Sequence, residues 1–269
     1  MDNIAADGRD KTAEGARQEA FSACWRKQKD AEPSDMVIDA ALNPAEISLL
    51  PRRDLKDTTC VVFDVLRATS TMITALAHGV AEIWPAGTLE EAQELKQRFP
   101  DALLGGERFG DRIEGFDLGN NPLEYQDLAG RRIITTTTNG TVALRACGHA
   151  DRVLVGALLN LAALHQAVVQ EATPRLLLVC AGTFETFALE DSMAAGMLAA
   201  SFPEAELTDA ALAALATAET TKTPLEGLLR ARNGKALFDR GWRDQVEWCA
   251  QLSRFGTVGA MSGGAIRPL

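Results

Sequence analysis

The stretch "TTCVVFDVLRATSTMITALAHG", residues 58–79, decides the fold class. Its first part, 58–65, is a short apolar run rich in β-branched residues, which predicts a buried strand. Its second part, "ATSTMITALAHG", predicts a helix closed by Gly79. The same unit recurs downstream. "AEIWPA" (81–86) reads as a strand, and "TLEEAQELKQRF" (88–99) as a helix opened by a Thr88/Glu91 capping box. "ALLGG" (102–106) is a strand, and Pro122 after Asn121 suits a short helix start. "RRIITTTT" then "GTVALRAC", "RVLVG" then "NLAALHQAVVQEA", and "RLLLVC" then "ALEDSMAAGMLAASF" repeat the strand-to-helix step up to residue 202. The last third is mostly helical and ends in glycine-rich turns with short strands. This alternation predicts α/β architecture with a largely parallel or mixed sheet. Two related lobes also fit the pattern, although no tandem repeat is visible. Ligands of such sheets collect at the carboxyl ends of the strands.

Composition narrows the function. The 269 residues carry a formal charge of −10, with 46% hydrophobic and 24% charged residues, as in an ordinary globular enzyme. That balance argues against general nucleic-acid binding, which needs a basic face. No apolar run approaches the roughly 18 residues of a membrane helix. The first residues lack the basic and apolar regions of a secretory signal. Five scattered cysteines without a CxxC pair read as reduced thiols, so a cytoplasmic location is expected. The three histidines form no metal-spaced pair, and His149 and His165 read as structural. Residues 1–34 form a polar N-terminal extension, and residues 35–269 the single functional domain.

Four strand ends carry candidate chemistry. In "VVFDVLRATST", Asp64 ends a strand, and Arg67, Thr69 and Ser70 lie at the turn into a helix. A carboxylate there suits a divalent cation, and the helix start with Arg67 suits a phosphate. Helix caps and a surface ion pair are the plainer alternative. The segment lacks the DxDx[TV] pattern of aspartyl-phosphate phosphatases, because Leu66 stands where the second carboxylate belongs. In "LLGGERFGDRIEGFDLGNNPLEY" (103–125), five glycines are interleaved with Glu107, Asp111, Glu114 and Asp117. Such a bent loop can aim several carboxylates at one Mg²⁺, or it can be a solvated acidic loop. "TTTTNGT" (135–141) offers hydroxyls and amides to an anion, with a hairpin turn as the alternative. In "VCAGTFETFALED" (179–191), Gly182 and Thr183 make a tight turn, and Glu190 and Asp191 open a helix whose dipole they also complement. Cys180 lacks the Cys-x5-Arg of cysteine phosphatases, since Thr186 stands six residues on.

In order, "VVFDVLRATSTMITALAHG", "LGGERFGDRIEGFDLGNNPLEY", "TTTTNGT", "CAGTFETFALED" and "ARNGKALFDRGWRDQVEWCAQL" resemble the 2-phosphosulfolactate phosphatase (ComB-like) family, from about Met36 to the C-terminus. The resemblance implies a Mg²⁺-dependent phosphatase with an α/β fold of its own type. It would hydrolyse (R)-2-phospho-3-sulfolactate to (R)-3-sulfolactate and phosphate, a step toward coenzyme M. A phosphatase of the same family for another phosphorylated hydroxy acid, and a non-catalytic anion-binding protein, are the rival readings. The expected partner is a small anionic phosphoester, and a homodimer is allowed for. The catalytic candidates are Asp64, Arg67, Glu107 and Asp117. The substrate-binding candidates are Thr69, Ser70, Arg108, Arg112, Asn120, Thr137, Asn139, Gly140, Gly182 and Thr183. The metal candidates are Asp64, Glu107, Glu114, Asp117, Glu190 and Asp191. Two departures stand out. Thr183-Phe184-Glu185 replaces an expected glycine- and basic-rich turn, and Ser253 stands where the tail often carries an acid.

Overall fold

The computed structural model describes residues 35–269, so the expected N-terminal extension, 1–34, lies outside the described residues. The order begins β1 (Val37–Ala41), α1 (Pro44–Ile47), β2 (Thr58–Phe63), α2 (Ala68–Ala77), β3 (Glu82–Pro85), α3 (Leu89–Arg98), β4 (Leu103–Arg108) and β5 (Asp111–Arg112). It continues β6 (Arg132–Thr136), α4 (Gly140–Ala146), β7 (Arg152–Gly156), α5 (Leu161–Glu171), β8 (Arg175–Cys180), α6 (Leu189–Ala199) and β9 (Glu206–Leu207). Four helices follow, α7 (Asp209–Glu219), α8 (Pro224–Arg230), α9 (Arg232–Asp239) and α10 (Arg243–Cys249), and then the hairpin β10 (Gly259–Ser262) and β11 (Ala265–Pro268). The architecture is α/β, as the alternation predicts.

One mixed sheet runs β5-β4-β6-β3-β11-β10-β7-β2-β8-β1-β9. It consists of two parallel sets joined by the C-terminal hairpin. The set β4-β6-β3 is parallel within itself, and so is β7-β2-β8-β1-β9. β11 lies antiparallel to β3, β10 to β7, and the two hairpin strands to each other. Three successive reversals make the two sets run in opposite directions.

β2 shows why an apolar run becomes a central strand. Every residue of it is buried, because β7 and β8 flank it and helices cover both faces. Val61 and Phe63 pack on one face with α5, α6 and α7. Cys60 and Val62 pack on the other with α2 and α4. The period of two divides one continuous apolar run between two cores. Phe63 is fully buried, so Phe63→Ala would cost about 3–5 kcal/mol.

Boundaries follow local chemistry. Thr88 Oγ1 accepts the Glu91 amide at the start of α3. The return arm of the expected capping box reaches the Gly87 amide instead of Thr88, while the other Glu91 oxygen pairs with Arg145. β1 was not foreseen from the sequence: "VIDAA" is short and carries Asp39. That carboxylate is satisfied by Ala40 N, Thr208 and Arg53. Ser253, noted above as a departure, accepts from the Ala162 amide at the start of α5. Among the described residues no helix is long and apolar enough to cross a membrane.

Candidate functional site

The carboxyl ends of the two oppositely directed sets meet at one cavity of about 260 Å³. Asn139, after β6, is the latch. Its side-chain amide donates to the carbonyls of Ala181 and Phe184 after β8, and its oxygen accepts the Phe184 amide. Gly140 brings the start of α4 against the loop after β2. A Cβ there would stand 2.6 Å from Asp64 Oδ2 and 2.7 Å from Ala68 Cβ, so no larger residue fits without moving the carboxylate.

Asp64 lines the cavity. Its carboxylate accepts the Ala68 amide at 3.2 Å, so it does cap α2. Capping does not balance its environment. Burial, then the negative charges of Glu107 and Glu190, push its pKa up to about 7. Arg67 lines the same cavity and is 5% exposed. Its hydrogen-bond partners are neutral, Gln245 Oε1 and the Gly110 carbonyl at 2.7 Å, and its guanidinium lies 4.9 Å from the Trp242 ring centroid. Burial is the main cause holding its pKa below the ordinary arginine range.

Glu107 is the acid that the glycine-rich loop delivers to the cavity. Its oxygens accept the Thr138 and Gly110 amides, each at 2.7 Å. The other loop acids are placed outside. Asp117 holds the Leu104 amide of β4, Asp111 pairs with Arg240, and Glu114 is exposed. Arg112 pairs with Glu124, and Arg108 braces β4 on β6 through the Glu107 carbonyl and Thr136 Oγ1. Asn120 lines the cavity, and its carbonyl accepts from Thr71.

The predicted hydroxyls divide. Thr69 and Ser70 are fully buried. Thr69 Oγ1 accepts the Asp64 amide, and Ser70 Oγ donates to the Val65 carbonyl. Both shape the Asp64 loop and do not line the cavity. Thr137 is locked in reciprocal bonds with Thr141. Thr138, next to it, lines the cavity, and its Oγ1 is buried without a partner.

The loop after β8 supplies the far wall. Gly182 has φ +75°, and a Cβ there would meet the Thr186 carbonyl at 2.6 Å. Its amide donates to Asp191, which also accepts from Val65 N. Asp191 thereby ties this loop to the Asp64 loop. Glu190 accepts from Asn233, which also donates to Thr183. Burial raises the pKa of both acids, and for Asp191 the charges of Glu190 and Asp64 add to it. Cys180 is fully buried, and burial pushes its thiol well up, so it is no thiolate. His78, His149 and His165 bond Thr74 O, Arg53 O and Ser201, away from the cavity.

Sequence reasoning missed Thr138, Asn233, Arg240 and the Gln245–Trp242 support of Arg67. All of them lie within two quoted motifs, Thr138 in "TTTTNGT" and the rest in "ARNGKALFDRGWRDQVEWCAQL". "RNGKALFDRGW" was readable only as amphipathic helix, because which of its polar residues face the cavity depends on how α9 docks.

Residues 45–264 match the profile of the 2-phosphosulpholactate phosphatase family. A probable 2-phosphosulfolactate phosphatase of Carboxydothermus hydrogenoformans is 38% identical over 83% of this chain and 92% of its own length. Proteins of the same description from Thermotoga petrophila and Deinococcus radiodurans are 36% and 39% identical, covering 81% and 77% of this chain and 96% and 88% of theirs. With more than three quarters of its length matched at this identity, the chain belongs to the 2-phosphosulpholactate phosphatase family.

Proposed function

We infer that this chain hydrolyses the phosphate ester of (R)-2-phospho-3-sulfolactate at the Asp64–Arg67 cavity, in the presence of Mg²⁺. Family membership gives the enzyme class, a phosphoric monoester hydrolase. One observation carries the placement: a buried guanidinium with only neutral hydrogen-bond partners stands in one cavity with a carboxylate held near neutrality. A buried cation without an ion pair is costly, and a phosphate dianion offsets that cost with charge-assisted bonds.

The donor set fits a hard cation. Beyond burial, the negative charges of Glu107 and Glu190 raise Asp64, and a divalent ion would relieve that repulsion. Among the described residues no three His, Cys, Asp or Glu stand close enough to hold one ion together. Mg²⁺ is commonly held by one or two carboxylates and keeps waters, so Asp64 is the residue that would hold it, with the other two acids as surrounding charge. When bound, Mg²⁺ supplies positive charge against the phosphate as the ester breaks.

The protein's own groups divide the remaining work. Arg67 grips the non-bridging oxygens, pre-oriented by Gln245, Gly110 and Trp242. Thr138 lines the same cavity and, through its backbone amide, holds Glu107 in place. Asp64, aligned by Ala68 N and the close pack of Gly140, either attacks phosphorus itself or takes the proton of an attacking water. Buried free thiols at Cys60, Cys147, Cys180 and Cys249 support a reducing, cytoplasmic setting. The test is phosphate release from a panel of phosphoesters, with Mg²⁺ and after exhaustive EDTA treatment. Turnover on 2-phosphosulfolactate that vanishes with EDTA and returns with Mg²⁺ is expected. Full turnover without divalent ion overturns the metal's role, and no release from that ester overturns the substrate.

A further inference from the structure

Two cations line the cavity, and one residue lies beneath both. The Arg67 and Arg240 guanidiniums stand 4.9 and 5.1 Å from the centroid of the Trp242 ring. Arg67 is the deep one, 5% exposed. Arg240 is at the mouth, with 41% of its side chain exposed, paired at 2.9 Å with Asp111, whose side chain is 67% exposed. So exposed a pair is weak, and it serves to aim the guanidinium more than to neutralise it. Burial and then the Arg240 charge lower Arg67, against the charges of Glu107 and Asp64 that raise it, so the two cations repel while the acids flank the deeper one. A fold that holds two like charges on one indole in one cavity is arranged for a ligand with two separated negative groups.

We propose that Arg240 is the specificity residue for the second acid group of the substrate, the sulfonate or the carboxylate, while Arg67 takes the phosphate. The assignment rests on the phosphatase reading above. Phosphate belongs at the deep end, where Arg67 is buried and Asp64 lines the cavity beside it. One of the two remaining acid groups of 2-phosphosulfolactate then points to the mouth. There a planar guanidinium offers paired N–H donors to two oxygens. Phe109 and Phe184, with ring centroids 6.0 Å apart, line the cavity beside it and reduce the water competing for that contact.

The test compares Arg240→Gln and wild type on three esters: 2-phosphosulfolactate, 2-phospholactate without the sulfonate, and ethyl phosphate without either acid. Arg240→Gln should raise KM for 2-phosphosulfolactate by roughly 30-fold more than for ethyl phosphate, the scale of one charge-assisted contact. A penalty as large on 2-phospholactate assigns the carboxylate as the group read, and a penalty confined to the sulfonated ester assigns the sulfonate. Arg240→Lys should recover part of the loss. An equal penalty on all three esters overturns the proposal. Circular dichroism checks the fold; should Arg240→Gln lose it, Arg240→Lys and the tether variant Asp111→Asn carry the same comparison. If wild type releases phosphate from no ester, the phosphatase reading has failed by itself. Calorimetric titration with 3-sulfolactate then decides: weaker binding to Arg240→Gln upholds the anion site, and equal binding removes it.

Discussion

The loop after β2 and the glycine-rich loop after β4 look alike in sequence: each follows a strand, bends sharply and carries acids and arginines. In three dimensions they differ in how their charges are partnered. Asp64 and Arg67 enter the cavity, one held near neutrality by burial and the other bonded to neutral groups. Across the other loop, Asp111, Arg112 and Asp117 lie outside, each tied to an opposite charge or a backbone amide, and Glu107 is the charged residue of that loop that lines the cavity. Architecture satisfies its charges locally, whereas a site leaves them to be satisfied by a ligand.

The sharpest way to break that comparison is Asp64→Asn. Turnover should fall by about a thousandfold or more, the scale for one key charged group. A residue that only capped α2 would predict little change, because Asn caps about as well as Asp. Stability should move the other way. The folded pKa of about 7 lies above the unfolded value of 3.8. Between those values the folded protein keeps a proton that the unfolded chain has lost, so raising the pH destabilises it, and the penalty is complete above about 7. Asn is neutral throughout. At pH 8 without divalent ions the variant should therefore melt above wild type, with the gap closing as pH falls toward 4. Near-wild-type turnover would remove Asp64 from the chemistry, and an unchanged melting profile would remove the charge argument.

Next in size is Arg67→Lys. An ammonium keeps the charge but cannot reach Gln245 and Gly110 while presenting a planar face to Trp242 and donors to a phosphate. kcat/KM should drop by about 10- to 100-fold, where Arg112→Lys, on an exposed pair with Glu124, should change it little. Equal losses at both positions, measured as phosphate release over a substrate series, would erase the distinction between the two loops.

Much of this was legible in the sequence. β2, β7 and β8 are apolar runs with one reading, and the strand ends at Asp64, Thr137 and Cys180 followed from them. The two parallel sets were not legible, because pairing of β3 and β7 to the C-terminal hairpin is a long-range event with no local signal. β1 was hidden by Asp39, whose partners come from Arg53 and Thr208. Within the site, side-chain direction was the limit. Thr137 and Thr138 are neighbours of one type, yet one is locked to Thr141 and the other lines the cavity. Glu107 and Glu114 share a motif, yet Glu107 sits in β4 and is held by the Gly110 and Thr138 amides, while Glu114 lies beyond β5 and is exposed.

Cys180→Ala should matter less. The thiol sits at the end of β8, beside the Gly182 loop that lines the cavity, but is fully buried, and its pKa is pushed well up by burial and then by Asp191. Losing a small buried group should cost about 1 kcal/mol of stability and leave turnover within a factor of about three. A loss beyond about a hundredfold in a folded variant would make the thiol a reacting group.

The smallest effect is expected at Glu114→Gln. In sequence Glu114 stands among the acids of the glycine-rich loop, and the family resemblance makes it a metal candidate. In the structure it is exposed and lies outside the cavity, two residues beyond β5, on an arm that β4–β5 pairing, Asp117 and Tyr125 hold along the sheet edge. An exposed carboxylate is hydrated and gains little from a cation it must approach through solvent. The variant should match wild type in kcat, in KM, and in the Mg²⁺ concentration for half-maximal rate, each within a factor of about two. The last of these discriminates best, because a metal ligand would move it even if kcat at saturating Mg²⁺ were preserved. A tenfold rise in the required Mg²⁺ would mean that the arm folds inward when substrate is bound. It would place both loops at the chemistry, and the contrast in their charge partners would then describe only the unliganded state.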